Sequence, residues 1–204
     1  MELTAAEPRR KGLTQLFLDG EAAVKIDTEI FVRSGLKPGD ELSDEELHQL
    51  IASSDARRAQ EKALYLLEYR SHSKKELADK IARTAASREA AQAAADRMEE
   101  LGLIDDEAYA RELARVLFTR KHYGAMRVRQ ELRQKGIDSG LIEDLLAEYG
   151  GEDEALETLK EILARKYPSW AEDERTRRRA FAALQRLGYS YDLIRRAMAA
   201  PEDD

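Results

Sequence analysis

Asp105 and Asp106 stand side by side, and a pair of carboxylates is an arrangement that general acid–base catalysis uses. Such chemistry needs further groups converging on one place: a histidine, a metal cluster or a glycine-rich phosphate loop. The histidines His48, His72 and His122 are far apart and lack ligand-like spacing. There is no cysteine, which removes disulfides, thiolate metal sites and a cysteine nucleophile. The plainer reading of Asp105-Asp106 is a helix N-terminus, where carboxylates accept hydrogen bonds from free amides and meet the positive end of the dipole. No catalytic residue, cofactor or metal is expected, and the chain is read as not an enzyme.

Cations are the other candidates. Residues 108–137 carry Arg111, Arg115, Arg120, Lys121, Arg127, Arg129, Arg133 and Lys135 against Glu112 and Glu131, a net of +6. Residues 165–196 are net +5, and residues 138–161 between them are net −8. A charge run is ordinarily a solvated helix face. Arg129 and Arg133 lie four apart and share a face. Arg177, Arg178 and Arg179 adjoin and fan around a helix. The first cluster is taken as the partner-binding set, for DNA phosphate or an acidic protein surface. Tyr123, beside Gly124 in a basic connection, is the aromatic expected to be exposed for stacking on a base. Tyr65, Tyr69, Tyr109 and Tyr149 fall mostly on apolar stripes and are assigned to the core. Trp170 is assigned to cover a helix end, and Arg9-Arg10-Lys11 to a frayed terminus rather than a DNA-touching arm.

These side chains need elements to hold them. The chain has 204 residues, 43% hydrophobic and 37% charged, with a net charge of −7. That charge exceeds the usual fraction of about 25% and suits slim helices that each bury one stripe. The acidic total argues against a protein that lives by coating nucleic acid. No apolar run approaches the ~20 residues of a membrane span, and residues 1–11 lack the apolar stretch of a signal peptide. A soluble, cytoplasmic monomer without a membrane partner is expected.

Residues 10–33 read as strands: Leu13, Phe17 and Leu18 before Asp19-Gly20, then Ala23, Val24, Ile26, Ile30, Phe31 and Val32. Asp-Gly between apolar runs signals a hairpin, because both central residues of a type I′ turn need φ > 0. Lys37-Pro38-Gly39-Asp40 predicts a second turn. Ser43-Asp44-Glu45-Glu46 has capping-box spacing, and Ser73-Lys74-Lys75-Glu76 repeats it. From residue 56 onward the apolar spacing is helical, as in Ala63-Leu64 with Leu66-Leu67, and in Leu156, Leu159 and Leu163.

Leu132 to Gly136-Ile137 is echoed by Leu184 to Gly188-Tyr189, and Leu141-Ile142 by Leu193-Ile194, at an offset of 52. Shifting back by 51 sets Ile81 under Leu132 and Ala90-Ala91 under Leu141-Ile142. This predicts a mainly α fold of three tandem three-helix repeats over 56–103, 104–149 and 150–204, the last with a short acidic tail. Residues 1–55 form a β-rich extension and linker helix. Repeats of this kind stack into an elongated curved body. Gly136 and Gly188 are placed at C′ positions, where the left-handed conformation ends a helix. The first repeat has Ala85-Ala86 there, so its turn must differ or strain slightly.

With those residues in hand, the chain resembles the RecX family. The likeness rests on Ala63 to Arg70 with Ser73 to Leu77, on Leu101-Gly102-Leu103-Ile104-Asp105-Asp106 with Tyr109-Ala110, and on Arg129 to Ile137. It covers 56–199 and is weaker in the third repeat; residues 1–42 look like an extension found in some members. Ala85-Ala86 depart from the family's glycine and aromatic. The resemblance implies a regulator of DNA repair, homologous recombination and the SOS response that binds the RecA filament on single-stranded DNA. It implies inhibition of strand exchange, ATP hydrolysis and repressor cleavage. The alternative is a direct DNA-binding protein of helix-turn-helix type. Against it, the third helix of the second repeat offers Asp138, Glu143, Asp144 and Glu148, which phosphate would repel.

Overall fold

The computed structural model describes residues 1–199. The acidic tail lies outside them. Two compact units divide the chain, Met1–Ile104 and Asp105–Asp204.

The first unit begins with a three-stranded antiparallel sheet of order β1-β2-β3: β1 (Leu3–Arg9), β2 (Leu13–Leu18) and β3 (Glu21–Asp27). Asp19 and Gly20 have φ of 51° and 87°, the left-handed pair that the turn chemistry demands. Two expectations are corrected. Arg9-Arg10-Lys11 is no frayed end: Arg9 pairs with Leu13, and Lys11-Gly12 turn the first hairpin. Thr28 to Ser34 form a helix, α1 (Thr28–Ser34), rather than a strand. The Asp27 carboxylate accepts from the amides of Glu29 and Ile30, and Gly35 at φ 73° closes the other end. Ile30 and Phe31 pack on the core while Val32 is 69% exposed. Caps and one-sided packing therefore override β-branched propensity here.

A single helix, α2 (Asp44–Tyr69), follows from a complete Ser43–Glu46 capping box and runs through position 55 without a break. Its first half closes the sheet core, where Leu50 joins Leu3, Leu16, Leu18, Ile26 and Leu42. Its second half joins α3 (Lys74–Ile81) and α4 (Arg88–Glu100). Ala59 and Ala63 face Ala91, Ala94 and Ala95 in that core, so small residues on both helices let the backbones come close. The small residues at 91, 94 and 95 are thus a packing solution. As expected, the turn after α3 differs from its counterparts: the helix stops at Ile81, and the Thr84 and Ala85 amides both bond the Ile81 carbonyl.

Between α2 and α3, His72 is buried at 3% exposure, with Nδ1 3.2 Å from Glu76 Oε2. Burial lowers the His72 pKa below its ordinary 6.5; the Glu76 hydrogen bond works against this, and Arg70 and Lys80 add to it. A native pKa below the unfolded value means that unfolding takes up a proton as pH falls. The stability held by neutral His72 is complete above pH 6.5 and is lost as pH drops through the lowered native pKa. Thermal melts from neutral pH down to about pH 5 should show this loss, and His72→Gln should flatten it. Identical pH dependence in parent and variant would assign the acid lability to other groups.

The second unit is two three-helix bundles. The first is α5 (Asp106–Thr119), α6 (Ala125–Gln134) and α7 (Ser139–Tyr149), around Leu117, Val128, Leu132, Ile142 and Leu145. The second is α8 (Glu152–Lys166), α9 (Glu174–Arg186) and α10 (Tyr191–Ala197), around Leu159, Leu163, Ala180, Leu184 and Ile194. Trp170 packs half-buried against this second core. Gly136 and Gly188 take φ of 78° and 92° at equivalent places after α6 and α9. Strands among the described residues are confined to the sheet before residue 28, apart from one isolated bridge, Glu2 to Glu41.

The two bundles of this unit join backbone to backbone. The Gly124 amide donates to the Leu187 carbonyl at 2.8 Å, and the Met126 amide to the Gly188 carbonyl at 3.2 Å. The Tyr189 hydroxyl donates to the His122 carbonyl at 3.1 Å, and burial pushes the Tyr189 phenol up to about 12.

Candidate partner-binding surface

Asp105 is the N-cap of α5, accepting from the Ala108 amide at 2.8 Å. The capping reading of the acidic pair holds.

The basic cluster is less naked than its sequence window. Arg129 forms a two-pronged pair with Glu143 on α7, Nε to Oε1 at 2.9 Å and Nη2 to Oε2 at 2.7 Å. Arg111 reaches Glu148 on α7 at 2.5 Å and Glu107 at 3.3 Å. Arg115 holds Glu112 at 2.7 Å. These guanidiniums keep the carboxyls of Glu143, Glu148 and Glu112 below their usual range. The alternating blocks of charge are thus brought opposite each other by the packing of α5 and α6 on α7, and part of the +6 is answered by part of the −8. Glu152, midway along the −8 block, likewise meets Arg196 of the second basic window at 2.6 Å. Two of the acids expected to repel phosphate, Glu143 and Glu148, are therefore already paired.

Arg127 has a structural task. It contacts Glu131 at 3.3 Å, donates to the Arg186 carbonyl at 3.1 Å, and sets its guanidinium 4.8 Å from the Tyr123 ring centroid. Lys121 lies 5.7 Å from the same ring. Tyr123 itself is half-buried and lines a cavity of about 650 Å³ with Phe118, Tyr149 and Tyr189. It is not the exposed aromatic that its neighbours in sequence suggest, because the chain folds it back under the join. Tyr65 and Tyr69, assigned to the core, are instead 50% and 71% exposed and meet edge to face at 5.0 Å. The alanines at 59 and 63 serve the core in their place. Lys135 is half-buried at the end of α6. Arg120, Lys121 and Arg133 are exposed and make no ion pair with a described residue. Arg111 and Arg115 are exposed too, but carry the ion pairs above.

Sequence reasoning passed over Tyr191. It is 56% exposed, edge to face with Phe181, and has Arg195 one turn along the same helix. The four-residue spacing of Tyr191 and Arg195 was the available signal.

Comparison with known proteins agrees with this architecture. The family model described as "RecX, second three-helix domain" matches residues 105–146, the helices α5 to α7. That of "RecX, third three-helix domain" matches residues 152–198, α8 to α10. Regulatory protein RecX of Bacillus subtilis is 29% identical over 185 residues, 90% of this chain and 70% of that protein. Regulatory protein RecX of Stenotrophomonas maltophilia is 36% identical over 145 residues, 71% of this chain and 87% of that protein. A crystal structure of regulatory protein RecX superposes with a TM-score of 0.65 over 96% of this chain and 98% of that chain, at 22% identity, so it supports the fold. Two tandem three-helix matches and a relative of this identity and coverage establish that the chain belongs to the RecX family.

Proposed function

We propose that this chain is a non-catalytic regulator of the RecA recombinase. It binds the filament that RecA forms on single-stranded DNA and restrains strand exchange, ATP hydrolysis and repressor cleavage, as a cytoplasmic monomer in DNA repair and the SOS response. Family membership is the observation that carries this reading. The helices are taken as three repeats, 56–103, 104–149 and 150–199, with residues 1–55 as an extension. The first contacts come from Arg120, Lys121 and Arg133. Arg111, Arg115, Arg129 and Lys135 stand behind them, their exposed ion pairs exchangeable for a partner's anions because such pairs add little stability. Arg127 and Tyr123 belong to the same surface but are tied to the join between bundles.

The test is RecA ATP turnover on single-stranded DNA, titrated with this protein. The parent should inhibit. Arg120→Ala, Lys121→Ala and Arg133→Ala together should raise the half-inhibitory concentration roughly tenfold, with little change in melting temperature. The difference should shrink as salt rises, because the contacts are screened. Arg58→Ala with Arg83→Ala and Arg88→Ala, exposed positions elsewhere in the chain, is the control matched in charge. A triple variant that inhibits as well as the parent at low salt makes this cluster a solvated face. Equal affinity for naked DNA and for the filament at physiological salt would favour the DNA-binder reading instead.

A further inference from the structure

Phe181, Tyr191 and Arg195 meet where α9 packs on α10, with Arg177 one helical turn before Phe181. Phe181 and Tyr191 meet edge to face with ring centroids 5.3 Å apart. The Arg195 guanidinium carbon lies 5.8 Å from the Tyr191 ring centroid. Ala180 and Leu184 turn α9 toward its core, and Phe181 sits at the edge of that stripe. Arg177 and Arg178 precede Phe181 by four and three residues, so both stand one turn ahead of it.

One feature separates this group from the basic cluster of α5 and α6. Free charge is common to both: Arg177, Arg179 and Arg195 are exposed and make no ion pair with a described residue, and the same holds for Arg120, Lys121 and Arg133. Arg178 pairs only with Glu174, both side chains largely in solvent at 80% and 63%. The difference is the aromatic. Tyr123 is folded under its neighbours, whereas Tyr191 is more than half exposed with a cation beside it.

We propose that this face binds single-stranded nucleic acid directly. Tyr191 stacks on a base, Phe181 holds the ring in place from behind, and Arg177, Arg178 and Arg195 meet the flanking phosphates. The combination selects the ligand. An acidic protein surface would be met by the cations alone and gives an exposed ring no π-face to stack on. A duplex keeps its base faces inside the stack, whereas a single strand offers a base face and a phosphate within one nucleotide step. Asp192, next to Tyr191 in the first turn of α10, is the carboxylate that opposes such a strand. This deepens the RecA-filament reading by naming the surface that meets the DNA, but its test needs no RecA.

The experiment is fluorescence anisotropy of a labelled oligothymidylate of about 20 nucleotides with the full-length protein, at salt from about 50 to about 200 mM. The parent should bind, more weakly as salt rises. Tyr191→Ala should weaken binding about 5- to 150-fold, the range that one stacked base supplies, while Tyr191→Phe stays near the parent. Arg177→Ala with Arg195→Ala should reduce the log–log salt slope by about 1.4, as expected for two lost phosphate contacts on a single strand. Asp192→Asn should tighten binding. Both arginines are exposed, so the double variant reads the site even if Tyr191→Ala fails to fold. A parent that does not bind at the lowest salt overturns the proposal. So does a double-arginine variant with the parent's affinity and slope. If polyglutamate displaces the oligonucleotide and Tyr191→Ala binds both as the parent does, the face is an acidic-protein site instead. A parent that binds oligothymidylate yet leaves RecA ATP turnover unchanged would sink the regulator reading and leave this site standing.

Discussion

Gly188→Ala is expected to cost about 3–5 kcal/mol of folding stability, against about 1–2 kcal/mol for Gly102→Ala. Both glycines end a helix in the left-handed region, Gly188 at φ 92° and Gly102 at φ 69°. Both substitutions therefore pay the steric penalty that an L side chain meets there. The difference lies in the neighbours. A Cβ on Gly102 would have nothing within 4 Å. On Gly188 it would fall 2.4 Å from the Arg127 amide nitrogen and 2.3 Å from the Arg127 Cβ. Those are backbone and near-backbone atoms at the first turn of α6, so no rotamer change relieves them. Gly124 separates the two terms. Its φ is an ordinary −76°, yet a Cβ there would meet the Gly188 carbonyl oxygen at 2.4 Å. Gly124→Ala should thus show the clash without the conformational strain, about 1–3 kcal/mol. Denaturant unfolding followed by circular dichroism gives all three values. Equal losses at 102 and 188 would mean that the two bundles slide apart without resistance.

The second large effect belongs to the sheet. Asp27→Ala should cost about 2–4 kcal/mol, and Arg57→Ala clearly less. Asp27 is 7% exposed, caps α1 through two amides, and has Arg57 Nε 3.1 Å from its Oδ1. Its own amide donates to the Ser54 hydroxyl at 2.8 Å, so β3, α1 and α2 meet at this residue. Removing the carboxylate frees two helix amides and strips the buried Arg57 Nε, which has no hydrogen-bond partner, of its nearest anion. Removing Arg57 leaves both caps in place, and the arginine's other contacts, Glu29 and Glu61, are half in solvent. A double-mutant cycle measures the coupling between the two. If Arg57→Ala proves the costlier change, the ion pair and not the cap holds the sheet to the helix.

Much of this fold is legible because local chemistry and global packing agree. Asp19-Gly20 can make only a narrow set of turns, Ser43 with Glu46 caps only a helix, and glycines 52 residues apart end equivalent helices. Where the reading failed, a local signal was outvoted. Ile30, Phe31 and Val32 favour a strand by type, and two amides on Asp27 with Gly35 behind them make a helix. The first strand, with Glu7, Pro8 and Arg9, has no apolar alternation because it is an edge strand and mostly exposed. The candidate surface was harder. Charge summed along the chain counted Arg129 as available, but its partner Glu143 arrives from the next helix, fourteen residues on. Exposure of an aromatic depends likewise on what packs over it, which separated Tyr123 from Tyr191.

The uninterrupted α2 limits how this protein can be rearranged. At 1.5 Å per residue its 26 residues make a rod about 39 Å long. Leu47, Leu50 and Ile51 near its start belong to the sheet core, and Ala59, Ala63, Leu66 and Leu67 near its end to the three-helix core. A chimera joined at residue 55 would cut the rod between two cores and ask foreign halves to match in helical phase. A junction at Leu42 and Ser43 keeps the cap and the whole rod but bares the first three side chains. Only a crossover after the bend at Arg70, beyond the end of α2 at Tyr69, would carry the sheet and the whole helix together into a chimera.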